Sequence, residues 1–205
     1  RTNGINLAAA FGPVTGLAGE IKFSDLLALE TGPGQVVTLS EVNPGVAVFG
    51  GRIRYRLLPD YKMQVEGGQW PFAGGKLYLE PTILDLSEEA ERRLQFTVEG
   101  VDAAQFLTQF DFENLTATGV FDGKLPMVFD QDGGRVVGGY LVAREGGGSL
   151  AYVGELSYED MGTMANFAFN ALKSIQYRNL TIGMNGDIAG EIITEVKFDG
   201  LQQGK

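Results

Sequence analysis

The sequence predicts a mainly-β protein built on a long antiparallel sheet. Three observations lead there. Apolar residues recur at alternate positions through most of the chain, the spacing of a strand with one buried face. Glycine is 30 of 205 residues, about twice the usual ~7%. Those glycines fall in the breaks between apolar runs, without a collagen-like period. Helical spacing is confined to one or two short stretches.

The composition bounds the function. At 205 residues the chain is long enough for one large domain, 1–205, with a substantial core, and 44% hydrophobic content argues against disorder. The net charge of −10 would repel a phosphate backbone, so nucleic acid is not an expected partner. It equally disfavours docking on anionic headgroups through a basic patch. There is no cysteine, hence no disulfide and no thiolate chemistry, and no histidine, the commonest general base and zinc ligand. No cofactor or metal is expected. No apolar run approaches the ~20 residues of a membrane-spanning helix. No signal peptide is visible and the first residue is Arg1, so the chain is expected to be a piece of a longer protein.

Taken in order, Glu20-Ile21-Lys22-Phe23 alternates as a strand, and Ser24–Leu29 fits either strand and turn or one capped helical turn. Gly32-Pro33-Gly34 is a break, Val36–Leu39 a β-branched strand, and Asn43-Pro44-Gly45 a turn. Residues 51–58 alternate most cleanly, with Ile53, Tyr55 and Leu57 on one face and Arg52, Arg54 and Arg56 on the other. The three arginines fit an anion-binding ladder. The favoured reading is a solvated face paired with acidic residues of neighbouring strands. Trp70-Pro71-Phe72 precedes a strand in which Leu77 and Leu79 point one way, and Trp70 reads as a core or rim anchor.

Glu88, Glu89, Glu91, Arg92 and Arg93 form a charged run expected to be an exposed connection. Leu94, Phe96 and Val98 then alternate with polar residues. Asp102 caps a short helix carrying Ala103, Phe106, Leu107 and Phe110 at helical spacing. From Gly119 to Tyr152 the chain reads as a meander. Phe121, Leu125, Met127 and Phe129 fall on one face, as do Val136, Tyr140 and Val142. Asp122-Gly123, Asp132-Gly133 and Gly146-Gly147-Gly148 are its expected turns. Met164, Phe167, Ala168, Ala171, Leu172 and Ile175 then recur at the spacing of an amphipathic helix over 164–177. Leu180, Ile182 and Met184 lead through an expected turn at Asn185-Gly186-Asp187 to Ile192, Thr194, Val196 and Phe198. Glu191, Glu195, Lys197 and Asp199 take the opposite face.

Catalysis finds little support. Acid–base chemistry needs carboxylates whose pKa values are split by burial. The nearest pairs, Glu191 with Glu195 and Asp130 with Asp132, sit on a charged strand face and in a turn. What remains is a set of strands with one oily face, which must be hidden. A barrel, a sandwich or a sheet folded over on itself would do so. Faces that meet make a closed structural or adhesive domain; faces that stand apart leave an apolar trough. An acyl chain in such a trough gains about 0.8 kcal/mol per methylene without any specific contact.

Several segments resemble the carboxy-terminal region of the YdbH-like proteins, a branch of the AsmA-like, TamB-related envelope proteins. They are GLAGEIKFSDLLALETGPGQ (16–35), WPFAGGKLYLEP (70–81), GVFDGKLP (119–126), DGG (132–134), GGYLVA (138–143), GGGSLAY (146–152), MANFAFNALKSIQY (164–177), LTIGMNGDIAGE (180–191) and IITEVKFDGLQ (192–202). Gly146 stands where that pattern has a proline. The resemblance implies a sheet curled into a U-shaped groove that carries phospholipid between inner and outer membranes. It implies a periplasmic location, with the parent chain anchored in the inner membrane and reaching the outer one. It also implies a small outer-membrane lipoprotein added as a strand at the free sheet edge. The expected groove lining is Ile53, Tyr55, Leu57, Leu77, Leu79, Leu94, Phe96, Val98, Leu180, Ile182, Met184, Ile192, Val196 and Phe198. The helix at Met164–Ile175 is expected to close the groove end or pack on the sheet.

Overall fold

The structure, a computed structural model, describes residues 1–9, 12–43, 47–87, 90–109, 113–130, 133–153, 175–188 and 190–202. Its first half contains β1 (Thr2–Ala9), β2 (Gly12–Gly19), β3 (Phe23–Asp25), β4 (Glu30–Thr31), β5 (Gln35–Val42), β6 (Val48–Leu58), β7 (Lys62–Phe72), β8 (Gly75–Leu79) and β9 (Thr82–Asp85). Then come β10 (Arg92–Asp102), α1 (Ala103–Gln109), β11 (Leu115–Thr118), β12 (Val120–Asp130), β13 (Gly133–Ala143), β14 (Gly148–Tyr152), β15 (Ile175–Asp187) and β16 (Ile192–Gln202). All but β3 and β4 belong to one 14-stranded sheet, and every pairing in it is antiparallel.

The order is a meander. β8 and β9 run in line, because β8 pairs with Gly68–Phe72 of β7 and β9 with Lys62–Val65 of the same strand. β11 and β12 likewise form one broken row beside the row of β13 and β14, since Leu115–Thr118 pairs with β14 and Val120–Asp130 with β13. β15 then spans both halves of that second row, and β16 lies along its far side. Among the described residues β1 pairs only with β2 and β16 only with β15, so the sheet is not closed into a barrel.

Turn chemistry sets the register. The β7–β8 hairpin turns on Ala73 and Gly74, both at positive φ (42° and 77°), the two-residue form whose twist suits a hairpin. Asp102 caps α1 as expected: its Oδ1 accepts the Gln105 N–H at 2.9 Å. Ser24–Leu29 is strand and turn, with β3 and β4 as its two short arms.

Several expected boundaries move. Asp122-Gly123 is not a turn but the middle of β12, paired with Val142 and Leu141. Gly123 is needed there for close approach: a Cβ would lie 2.0 Å from the Tyr140 carbonyl oxygen. Asp122 serves the neighbouring strand. Gly100, at φ 68°, makes a bulge between Val98 and Val101, and the Asp122 carboxylate accepts its N–H at 2.8 Å and Arg144 at 2.7 Å. A second bulge at Gly138 (φ 71°) shifts the phase of β13. Val136 and Leu141 are therefore buried, while Tyr140 and Val142 face solvent. The single face expected for Val136, Tyr140 and Val142 is thus corrected.

Trp70, Pro71 and Phe72 lie within β7, and Arg92 and Arg93 begin β10. Asn185-Gly186-Asp187 ends β15; the reversal comes after it, where the Asp187 N–H donates to the Glu191 carbonyl at 3.1 Å. Ile175 is not helical: it opens β15, opposite Leu150. Met164, Phe167, Ala168, Ala171 and Leu172 lie outside the described residues, as do the Pro44-Gly45 turn, Phe110 and Asp132.

The hydrogen bond from Arg144 holds the Asp122 carboxyl below its ordinary pKa, assisted by the Gly100 N–H and opposed by partial burial. A depressed carboxyl contributes stability that is present above its ordinary range and lost as pH falls through the folded value. Asp122→Ala should destabilise by about 1 kcal/mol at neutral pH, because the Gly100 N–H loses its acceptor. Urea titrations should show that difference narrowing as pH drops below ~4.

Candidate functional site: the apolar face of the sheet

Antiparallel register turns the period-two pattern of each strand into rows that cross the sheet. One row joins Leu39 to Gly51, and Trp70 to Leu77, Val98, Gly123, Leu141, Ile182 and Val196 in succession. Trp70 bridges its two parts. The indole lies against Gly51, where a Cβ would come 1.9 Å from Nε1, and over Gly68, where a Cβ would come 2.9 Å from the ring. A parallel row runs Ile53, Gly68, Leu79, Phe96 and Leu125. Flanking these, Tyr55 pairs with Val65, Leu57 with Met63, and Met63 with Leu84. The result is a continuous apolar face from β5 to β16, with no charged side chain in either row.

Enclosure along this face is graded. Val98 is 1% exposed and Trp70 4%, whereas Val196 on the edge strand is 48% exposed. The Trp70 and Phe96 rings meet at 6.1 Å and 58°. Trp70 Nε1 is buried without a hydrogen-bond partner among the described residues.

Of the lining expected from the sequence, Tyr55, Leu77, Leu79, Val98 and Leu180 are buried. Ile53, Leu94, Phe96, Ile182 and Met184 are partly buried against the same cluster, and Leu57 is half-buried. Ile192 and Val196 are exposed. The Phe198 side chain lies outside the described ones, although its backbone pairs with Leu180. The same face also holds residues that the sequence did not single out. Val65 was hidden in a short polar-looking run, KMQVEGGQ, and Leu141 was put out of phase by the Gly138 bulge.

Two tyrosines are pushed above their ordinary pKa by burial, Tyr55 and Tyr177, so both stay neutral on this face. The Tyr177 hydroxyl donates to the Thr118 carbonyl at 2.6 Å, across the breaks in the β11/β12 and β13/β14 rows. Gly119 and Gly148 make room for it: a Cβ at either would lie 2.4 Å from its oxygen.

Around β6 and β7 the opposite face is polar. A shallow recess of about 710 Å³ there is lined by Arg52, Arg54, Gln69, Tyr78 and Glu80 over the glycines of β6 and β7. Arg52 stands opposite Thr38 and Gln69, Arg54 opposite Val36 and Gly67, and Arg56 donates to Gln64 Oε1 at 2.8 Å. The arginine face is solvated as expected, but its cross-strand neighbours are not the expected acids. Several carboxylates pair elsewhere. Asp130 and Glu91 both pair with Arg135, and Glu195 with Lys197 at 3.1 Å. No metal-binding cluster of acidic side chains occurs among the described residues. No helix among them is long and apolar enough to cross a membrane.

Among the described residues the structure is an open antiparallel sheet with one continuous apolar face. A family model described as YdbH-like, intermembrane phospholipid transport protein YdbH, matches residues 1–205. The chain therefore belongs to the YdbH-like family, which is a lipid-transport family and not an enzyme class. Neither the curated proteins nor the solved structures contain a match.

The packing of Trp70 on glycine can be tested directly. Gly51→Ala should push the indole off β6, cost about 1–3 kcal/mol, and red-shift the emission of this single tryptophan. Equilibrium unfolding followed by fluorescence reads both effects.

Proposed function

We propose that this chain is a segment of a bridge-like lipid-transfer protein, and that its sheet curls into a U whose apolar face carries phospholipid acyl chains. The observation that supports this most is the apolar row from Leu39 to Val196, bridged at Trp70, closed in its middle and open at β16. A conduit needs such a surface. Its attraction is repeated and non-specific, so a lipid can move along it with its headgroup in water. The lining runs from Ile53, Tyr55 and Leu57 through Leu77, Leu79, Leu94, Phe96 and Val98 to Leu180, Ile182, Met184, Ile192, Val196 and Phe198. The segment works in the periplasm, in a parent chain that reaches from the inner to the outer membrane. Among the described residues β16 pairs only with β15, and its other edge suits strand addition by a small outer-membrane lipoprotein.

The competing reading is a closed structural domain, and the near-complete burial of Val14, Val65, Val98 and Val101 favours it. A charge on the open part of the row separates the two. Val196→Asp lies at an exposed edge, so its stability should stay within about 0.5 kcal/mol of wild type. Under the groove reading, affinity for a fluorescent acyl-chain probe should fall about tenfold or more, because a charge replaces apolar surface. Equal probe binding by wild type and variant, at equal stability, would exclude acyl-chain passage along this row.

A further inference from the structure

The largest unexplained feature lies outside the sheet. β3 and β4 form a small hairpin that stands off one rim, between the end of β2 and the start of β5. Its tip exposes Phe23, Leu26, Leu27 and Leu29, with Leu27 99% exposed. The tip is held in this state. Asp25 Oδ1 accepts the N–H groups of Leu27 and Ala28 at 2.8 and 3.1 Å, and Leu29 sits at φ 56°. The base is tied down as well. The buried Thr31 hydroxyl accepts the Leu57 N–H at 2.8 Å, and Glu66 accepts the Gly34 N–H at 3.1 Å.

The rim where the hairpin base meets β6 at Leu57 carries further residues of the same character. Tyr61, in the β6–β7 turn, is 75% exposed. Leu86 is exposed too, and its N–H donates to the Tyr61 carbonyl at 2.8 Å. This fringe adjoins the end of the apolar face, where Leu57, Met63 and Leu84 pair across β6, β7 and β9. Exposed apolar residues gathered at one rim, beside the end of an apolar interior, call for an occupant.

We propose that this fringe inserts into the surface of a zwitterionic phospholipid bilayer, with Leu26 and Leu27 entering the acyl region and Tyr61 at the headgroup level. Its shape suits a fluid phase, since a protruding tip needs no matching pocket. Its charge selects the surface. Lys22, Lys62 and Arg92, the last donating to the Asp85 and Ser87 carbonyls, stand against Asp25, Glu30, Asp60 and Asp85, and the whole chain carries −10. An anionic membrane is therefore repelled, and insertion rests on apolar burial alone. The amphipathic tyrosine is the residue type that favours the interface. The choice of partner rests on the lipid-transfer reading of the chain, and the exposure of the fringe does not.

The absence of cysteine allows a single label. Leu27→Cys, and as a control Phe49→Cys at the opposite rim, would each carry an environment-sensitive fluorophore. Both positions are more than half exposed. With vesicles of phosphatidylcholine and phosphatidylethanolamine, the probe at position 27 should shift to the blue and the probe at 49 should not. Added phosphatidylglycerol at low salt should weaken the response. In the unlabelled chain, Leu27→Asp should reduce vesicle co-flotation at least about tenfold. Absence of the shift at 27, or an equal shift at 49, overturns the proposal. So does a shift on raising protein concentration without vesicles, which would assign the fringe to a second copy. Acyl-chain probe binding by the same Leu27→Asp variant keeps the two readings apart. Unchanged probe binding with lost flotation supports the proposal. A wild-type chain that floats through position 27 but binds no acyl-chain probe refutes the groove and leaves the docking site standing.

Discussion

Among the described residues the antiparallel meander has one apolar face and no second large sheet to cover it, and this constraint governs the rest of the molecule. Each strand pairs with its neighbours through the backbone, so pairing alone extends the sheet from β1 to β16 without limiting it. What must be solved is the water-facing cost of the oily side. The register concentrates that side into rows, and Trp70 spans the place where the longest row passes between β6 and β7. Burial then falls towards β16, where pairing continues but cover does not.

Glycine is what allows such rows to exist. Gly51 and Gly68 leave room for an indole, Gly123 for the backbone of β13, and Gly119 with Gly148 for Tyr177. A different use appears at Gly100 and Gly138, where positive φ inserts a bulge and resets which side chains face inward. The high glycine content is thus tied to two physical needs, close packing across strands and changes of phase along them. Side chains complete the bulges: Asp122 receives the amide freed at Gly100, and Asn185 Oδ1 accepts that of Gly138 at 2.6 Å.

This explains which parts of the fold were legible in the sequence. Residues 51–58 alternate without a bulge on their own strand, and their inward and outward faces were read correctly. The cap at Asp102 was equally plain, because a capping aspartate has a local mechanism. Asp122-Gly123 misled for the opposite reason. Its local chemistry says turn, while its role depends on strands β10 and β13, distant in sequence. Leu141 was missed because a bulge three residues earlier inverted the period. Ile175 satisfied a helical spacing but is used as a strand residue by pairing with β14. The apolar fringe at Leu26 and Leu27 was read only for its secondary structure, since periodicity carries no information about what a short hairpin leaves in solvent.

The proposed function requires that the apolar face hold lipid. The most direct test is native mass spectrometry, with lipid extraction, of this chain purified from a bacterial envelope. A lipid-holding face gives a population whose added mass equals one or more phospholipids and whose extract contains diacyl species. A monodisperse chain at its own mass, still lipid-free after incubation with phospholipid vesicles, would contradict it and leave the face as a closed structural core.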